Sequence, residues 1–588
     1  MNLDLENRKS LNGNLWKIVP ADECTTEYMA QHFSLPPLLA KILTSRGICG
    51  DDAAAFLDAK LQNLMPDPYC LKDMQKAAER IAEAVTKKQT VGIIGDYDVD
   101  GATSSSLLRL FLESFGCRVL VRIPEREEGY GPNMDMIAEF AAGGAELIIS
   151  TDCGTAAVAV FEEAKSYNID TIVLDHHEAE AILPPVYAVV NPKRLDEDDS
   201  HPALKYLAAV GVVFLTIVAV NRCLRNLHFY AAGKEPNLMQ WLDIVALGTV
   251  CDVVPLLGLN RAFVRQGLKV MAQRQNFGIK ALLDSAAISE SPTSYHLGYA
   301  LGPRINAGGR VGDSSFGHRL LCCHDNASAA ELAEKLNFYN DQRKEIEAYV
   351  LLQAIEILEG RPQKYPIAFV YGQDWHQGVI GIVAGKLKER YNLPSFVMSV
   401  ETDEVKGSAR SVPGLNLGAL IIAAKEKGLL TKGGGHMMAA GFSLKAENIE
   451  AFYDFAGEYV QKYLGKEQLT PVLEIDGCVD AAAVNLELAE KLALLEPYGA
   501  GNPEPRLLLP QVKVSYAAIV GSGHVRCNLS SLAGGAVKAI AFRVADTETG
   551  KALLSAKGDV FNIVGNLRIN NWQGQSSAQF VIEDAMRA

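Results

Sequence analysis

From Gln89 onward, hydrophobic and polar positions alternate between two periods. Short apolar runs read as buried strands, and each is followed by a longer segment with apolar residues at helical spacing. TVGIIG leads into ATSSSLLRLFLESFG, CRVLVRIP into NMDMIAEFAAGG, and ELIIST into AAVAVFEEAKSYN, before a fourth run, TIVL. Repeated β-α units predict a parallel sheet covered by helices. The acidic stretch LDEDDSH (195–201) interrupts the rhythm, and a long helical stretch is expected from Ala203 to about Val250. Residues before about 80 read as helical and polar, with Pro-containing breaks and little visible chemistry.

The pattern changes twice more. Residues from Asn326 to Leu358 predict one polar, amphipathic helix, long enough to connect two lobes. A second α/β pattern starts at YPIAFVYG and runs through GIVAGKLKERY, PSFVMSV and LGALIIAAKEKG to GGGHMMAAGFSL. After about Glu467 the chain is β-rich, with short strands at the spacing of a small OB-like barrel. The expected organisation is an N-terminal lead-in over 1–80, a first α/β domain over 81–325, a connecting helix over 326–360, a smaller second α/β domain over 361–466 and a barrel over 467–588.

Composition narrows the class. A chain of 588 residues holds several domains. Apolar residues make up 48% and charged residues 21%, a soluble globular balance. The net charge of −14 argues against a non-specific polyanion binder, but leaves room for local basic surface and for carboxylates that hold cations. The 11 cysteines form no CxxC pair, as expected of free thiols in a reducing compartment. The N-terminus, MNLDLENRKSLNG, lacks a secretory apolar core. The longest apolar run, Leu207 to Val220, is shorter than the ~20 residues of a membrane span and reads as a core helix. A cytoplasmic location without a membrane partner is the expectation.

The chemistry gathers where the apolar runs stop. The first ends in GDYDVDGAT, placing Asp96, Asp98 and Asp100 at period two, which points them one way if the segment is extended. ELIIST ends at Asp152, TIVL at Asp175-His176-His177, and WLDIVALGTV at Asp252. Ligands of a parallel sheet collect beyond the carboxyl ends of its strands. A single Asp after a strand is most often a helix cap, and a His pair is most often surface or core. Their recurrence at equivalent places favours a shared site. Crowded carboxylates repel unless a cation sits among them. Oxygen ligands with an imidazole suit Mn²⁺ or Mg²⁺, and this many candidates suits two ions ~3.5–4 Å apart. Cys153 and Cys251, beside two of these acids, read as small buried residues.

Elsewhere, the glycines of KGGGHM, including Gly434 and Gly435, allow backbone N–H groups to approach an anion. Arg410 of GSARSV and His436 supply charged donors. There is no GxxxxGK[ST] loop. Arg261, Arg265 and Lys269 recur on one helical face, read either as a solvated face or as a DNA-backbone rail. In the barrel, Lys513, Tyr516, Arg526, Arg543, Arg568 and Trp572 suit stacking and gripping of unpaired bases, with a core role for Trp572 as the rival reading.

GDYDVDG, STDCGT, LDHHE and GTVCDVVPL resemble the four motifs of the DHH phosphoesterase superfamily, and GSARS and GGGHMMAAGFSL resemble its DHH-associated domain. EREEGYG, LGPRINAGGR, EPYGAGNPEP and the β-rich tail are similar to the RecJ family of bacterial single-strand-specific 5′→3′ DNA exonucleases. The resemblance covers nearly the whole chain from Gln89. It implies Asp96, Asp98, Asp100, Asp152, His176 and Asp252 as metal ligands, with Asp96 standing where some relatives have a histidine upstream. It places His177 beside the scissile phosphate and Asp175 as support for an imidazole. It assigns the 5′-terminal phosphate to Arg126, Arg304, Ser408 and Arg410, with Asn306 and Arg310 as further candidates.

The implied function is a two-metal phosphodiester hydrolase acting in DNA repair and recombination. Single-stranded DNA is the implied partner, with a single-strand-binding protein and a RecQ-like helicase as further candidates. The rivals are a small-substrate DHH phosphoesterase, acting on cyclic dinucleotides or oligoribonucleotides, and a non-catalytic replication scaffold. The length and β-rich tail disfavour the first, and the complete motifs disfavour the second.

Overall fold

The apolar runs form one sheet of five strands: β1 Val91–Ile94, β2 Val119–Arg122, β3 Leu147–Thr151, β4 Asp170–Leu174 and β5 Ala188–Val190. Their order is β2-β1-β3-β4-β5, and every neighbouring pair is parallel. The computed structural model describes residues 8–588 except 127, 232–233, 361, 466–468, 532–533, 557 and 573. Strands β1 and β3 are buried along their whole length, as a sheet covered on both faces requires. Ile93, Ile149, Ile172 and Leu174 join one core, while Ile94, Ile148 and Val173 join the core on the opposite face. The chain runs from β1 outward to β2 and then back across to β3. That reversal opens a crevice beyond the carboxyl ends of β1 and β3.

The first core is closed by α1 Met74–Lys87, α2 Val99–Glu113, α3 Ala209–Asn226 and α4 Leu242–Cys251. The helical stretch expected from Ala203 to Val250 is interrupted between α3 and α4. His228 adopts left-handed backbone (φ 51°) just past α3, and Pro236 precedes α4. Helix α3 is the one described helix long and apolar enough to cross a membrane, and 78% of that stretch is buried inside the protein. Helix α5, Gly258–Met271, follows α4. Its Arg261 is fully buried. That corrects the reading of Arg261 as part of a DNA-backbone rail: its guanidinium is committed to backbone carbonyls inside the protein.

The chain divides into two compact bodies. One comprises residues 50–342 with 495–504. The other comprises residues 343–494 and 505–588, together with the described residues up to Cys49. The stretch expected as a single lead-in is therefore shared. Helix α1 belongs to the first body, where Arg80 Nε donates to Asp170 at 2.6 Å. Leu15–Ile18 belongs to the second, paired in parallel with Val472–Ile475. Burial of Trp16 and its Nε1–H bond to Asp584 (3.0 Å) fasten that strand to the barrel. Helix α6, Asn326–Glu359, is continuous: Leu332 and Leu336 pack in the first body's core, and Val350, Ala354 and Leu358 pack in a core of the second.

In the second body, β6 Ala368–Gln373, β7 Ser395–Glu401, β8 Glu404–Arg410, β9 Lys432–Gly435 and β10 Ala439–Lys445 form a mixed sheet ordered β9-β10-β8-β7-β6. Helix α7, Gln377–Tyr391, packs on β7 and β8. The C-terminal strands are β11 Leu507–Val520, β12 His524–Ser531, β13 Ala536–Ala541, β14 Val560–Trp572 and β15 Gln575–Arg587. They run in the order β11-β12-β13-β15-β14, and β14 pairs back onto β11 to close a five-stranded OB barrel. Lys513, Tyr516, Arg526, Arg543 and Arg568 are exposed on it. The side chain of Trp572 lies outside the described residues.

Candidate metal centre

Asp96, Asp98 and Asp100 converge, but not through an extended strand. The chain leaves β1 and turns directly into α2. Asp98 is the N-cap, its Oδ1 accepting the Asp100 and Gly101 N–H groups at 2.8 and 3.0 Å, while Asp100 lies in the first turn. A Cβ at Gly101 would run into the Asp96 backbone, so only glycine permits this tight turn. Asp152 follows β3 in left-handed backbone (φ 62°), an uncommon conformation for a non-glycine residue. Asp252 is the C-cap of a helix rather than a strand end.

These elements bring the side chains into three overlapping groups: Asp96–Asp98–Asp152, Asp152–His176–His177 and Asp100–His176–Asp252. Within each, one donor atom per residue lies within 4.8 Å of the others. Asp152 and His176 are each shared by two of these groups, so the three groups adjoin. His176 Nε2 lies 3.3 Å from Asp152 and 3.9 Å from Asp100. Its Nδ1 is 3.0 Å from the Leu207 carbonyl, which can only accept. Nδ1 therefore carries the proton and Nε2 presents its lone pair to the carboxylates.

Burial and mutual repulsion leave the carboxylates of the cluster poorly suited to carry charge on their own. Burial, then the Asp98 charge, pushes Asp96 up to about 8 and Asp100 up to about 7. Burial and Asp100 raise Asp252 to about 9 and lift Asp152 well above the carboxylate range. Burial lowers His176 to about 4, keeping it neutral and able to ligate at ordinary pH. Oδ1 of Asp96 and Oδ1 of Asp152 are buried without a hydrogen-bond partner. Orphaned buried carboxylate oxygens among oxygen-rich ligands and one imidazole fit Mn²⁺ or Mg²⁺.

His177 differs from its neighbour. Its side chain is 39% exposed, against 8% for His176. Asp175 Oδ1 accepts from His177 Nδ1 at 2.8 Å, and the same carboxylate accepts the N–H groups of Thr155 and His176. Burial alone would raise Asp175, but bonds from His177 and Thr155 hold it well below the usual range. For His177 burial acts downward, but the Asp175 hydrogen bond and charge outweigh it and raise the imidazole above its usual value. Glu178 is exposed and ion-paired to Lys193 at 3.3 Å. Cys153 is buried with its thiol pushed well up, chiefly by burial, and Cys251 Sγ donates to the Leu297 carbonyl at 3.4 Å.

Sequence reasoning missed two contributors. The Ala209 and Val210 N–H groups at the start of α3 bind Asp100 at 2.6 and 3.0 Å, and with the Leu207 carbonyl they orient Asp100 and His176. Because backbone makes these contacts, no residue type signals them. Tyr130, inside EREEGYG, donates to the Asp152 carbonyl at 3.0 Å, and its hydroxyl lies 3.1–3.2 Å from the His177 ring nitrogens.

The DNA candidates separate by body. In the first, Arg126 lies over the Tyr97 ring at 4.4 Å and donates to the Gly309 carbonyl at 3.0 Å, beside the metal turn. Arg310 acts electrostatically on the same Tyr97. Arg304 is held by Asn337 Oδ1 (3.0 Å) and the Ala300 carbonyl (2.8 Å), and Asn306 is half-buried nearby in sequence. In the second body, Ser408 and Arg410 alternate on one side of β8 against the first turns of α7. A Cβ at Gly381 would meet Ser408 Oγ at 3.0 Å and Arg410 Nη2 at 3.1 Å. Arg410 Nη1 donates to Ser408 Oγ at 3.1 Å. A serine hydroxyl and a guanidinium thus lie together against the first turns of a helix. The glycine string differs from expectation. Gly434 and Gly435 are in strand β9, paired with Gly441 and Ala440, and the His436 N–H is spent on the Ala439 carbonyl. His436 itself is exposed.

The chain is similar to known families and relatives over most of its length. The sequence matches the family models "DHH family, N-terminal domain" over residues 90–249, "DHHA1 domain" over 363–462 and "RecJ OB domain" over 475–584. It is 36% identical over 566 residues to the single-stranded-DNA-specific exonuclease RecJ of Dickeya dadantii (strain 3937), an alignment covering 94% of this chain and 96% of that one. The chain belongs to the RecJ family. Identity to the Escherichia coli (strain K12) RecJ is 35% over 565 residues, with the same coverage of both chains. A crystal structure of RecJ from Thermus thermophilus in complex with Mn²⁺ matches with a TM-score of 0.81 at 26% identity, covering 97% of this chain and 79% of that one. That the RecJ of this crystal is bound to Mn²⁺ agrees with the donor chemistry found here.

Proposed function

We propose that this RecJ-family chain is a metal-dependent 5′→3′ exonuclease specific for single-stranded DNA. The observation that carries the reading is the meeting of Asp96, Asp98, Asp100, Asp152, His176 and Asp252 at the mouth of one parallel sheet, with orphaned carboxylate oxygens inside and His177 at the open side. Two bound Mn²⁺ or Mg²⁺ ions would supply an acidified water and charge stabilisation at the phosphoryl oxygens. The six residues would hold the ions, His176 through its unprotonated Nε2. Asp175 keeps the Nδ1 proton of His177 in place and so aims the rest of the ring outward. From there His177 protonates or neutralises the oxygen that leaves. Ser408 and Arg410 take a terminal phosphate, and Gly434, Gly435 and His436 flank the strand in the same body. Arg126, Arg304, Asn306 and Arg310 contact DNA from the first body.

An enzyme confined to unpaired 5′ ends depends on strands being opened. A RecQ-like helicase and a single-strand-binding protein are therefore its proposed partners in repair and recombination in the cytoplasm. The test is digestion of a long oligonucleotide in Mn²⁺ with products sized from each end. Mononucleotides should appear from a 5′-phosphorylated single strand, blunt duplex should resist, and Arg410→Ala should erase the advantage of the 5′-phosphate. Equal attack on blunt duplex, or turnover of a dinucleotide in preference to the oligomer, would replace this reading with the small-substrate one.

A further inference from the structure

We infer that the loop Leu495–Glu504 is a brace for Asp252 and that Arg261 and Asn502 are the positioning residues that hold it. The inference rests on Asp252 being a metal ligand, as proposed above. The loop precedes the barrel in sequence, yet it packs within the first body. Arg261 on α5 is its anchor. Its Nη1 donates to the carbonyls of Leu495 (3.1 Å) and Pro497 (3.4 Å), its Nη2 to Glu496 (2.6 Å) and its Nε to Phe56 (2.9 Å), while the guanidinium lies 3.6 Å over the Phe56 ring. A fully buried guanidinium is costly unless its donors are satisfied, and these carbonyls satisfy it only in one loop conformation. Asn502, also fully buried, repeats the arrangement from inside the loop, its Nδ2 donating to the Leu495 (2.8 Å) and Pro497 (2.9 Å) carbonyls.

The other side of the loop meets the segment that carries Asp252. Ala500 accepts the Leu256 N–H at 2.8 Å. A Cβ at Gly499 would sit 2.7 Å from Leu256 Cδ1, and one at Gly501 would sit 3.0 Å from Pro255 Cβ, so the two backbones lie in close contact. Between this contact and Asp252 stands Val253, a β-branched residue in left-handed backbone (φ 60°). Such a conformation persists only where the flanks over-determine it. One flank is α4, whose Gly248 carbonyl accepts the Asp252 N–H at 2.9 Å. The other is the loop. Release of the loop lets Val253 relax and moves the Asp252 carboxylate away from His176, whose Nδ1 is 3.6 Å from Asp252 Oδ2.

Mn²⁺ titration followed by the electron paramagnetic resonance of free ion, on the full-length chain, tests this. Arg261→Lys and Asn502→Ala should each weaken Mn²⁺ binding by about 10- to 100-fold, the usual effect of losing an outer support of a ligand. At saturating Mn²⁺ the KM for single-stranded oligonucleotide should stay at the wild-type value. A folded variant, judged by circular dichroism of the metal-free protein, that keeps wild-type Mn²⁺ affinity overturns the brace. So does one that loses only oligonucleotide KM. If Arg261→Lys fails to fold, Asn502→Ala, which leaves the guanidinium in place, decides alone. Asp252→Ala is measured alongside. Unchanged Mn²⁺ affinity there defeats the ligand assignment, whereas weakened affinity in that variant alone defeats only the brace.

Discussion

His177→Gln will lower kcat by about 10²- to 10⁴-fold, the range for loss of a placed general acid or charge stabiliser, and will leave Mn²⁺ binding close to wild type. The two adjacent histidines are separated by environment rather than by type. His176 is buried, neutral and committed at Nδ1 to the Leu207 carbonyl. His177 is four-tenths exposed and tied to Asp175. Loss of the inner ring should abolish metal binding and activity together; loss of the outer ring should separate them. Tyr130→Phe, which removes the hydroxyl between His177 and the Asp152 carbonyl, should cost a milder 2- to 10-fold in kcat, roughly the worth of one hydrogen bond. Steady-state kinetics at saturating Mn²⁺, paired with metal titration, reads both. Metal loss in His177→Gln equal to that in His176→Gln would contradict the division of roles.

The metal-free protein will lose stability as pH rises from 7 to 9, and divalent metal will restore it. In the folded chain Asp100, Asp96 and Asp252 titrate near 7, 8 and 9, whereas in the unfolded chain they ionise near the ordinary carboxylate value. Between those limits the folded state binds more protons, so unfolding becomes easier as pH rises. His177, raised, acts in the same direction. His176, lowered to about 4, acts oppositely but only below its unfolded value near 6.5, outside this window. Mg²⁺ at 100 times its dissociation constant should add about 2.7 kcal/mol, on the order of 3–5 °C in the melting temperature of the body that holds the site. At one fixed Mg²⁺ concentration the gain should be larger at pH 8.5 than at pH 7. Calorimetric scans with and without Mg²⁺ measure this; a metal-free melting temperature that is flat or rising across the window would contradict it.

The parallel sheet was legible because β1, β3 and β4 are buried on both faces and therefore read as unbroken apolar runs. The acids at their ends were legible because a sheet of this kind sends them to one side. The spacing of Asp96, Asp98 and Asp100 pointed to an extended strand, whereas a cap and a helical turn bring them together. Arg261 misled because its helical spacing with Arg265 and Lys269 says nothing about burial, which depends on Leu495–Glu504, far away in sequence. The strand pairing of the KGGGHM glycines was hidden for a related reason. Gly435 needs no side chain because Ala440 of the paired strand lies against it, which one strand read alone cannot reveal. Backbone contacts to Asp100 and His176 left no mark on residue type.

The pairing of Leu15–Ile18 with Val472–Ile475 sets an order of events during synthesis. This strand emerges with an indole and an apolar edge whose partners, Val472–Ile475 and Asp584, lie far downstream. At 5–20 residues per second its partner follows roughly 20–90 s later, after the whole catalytic sheet has had time to fold. The second body must therefore be completed by capture of an early, waiting segment, and its assembly is paced by translation rather than by local folding.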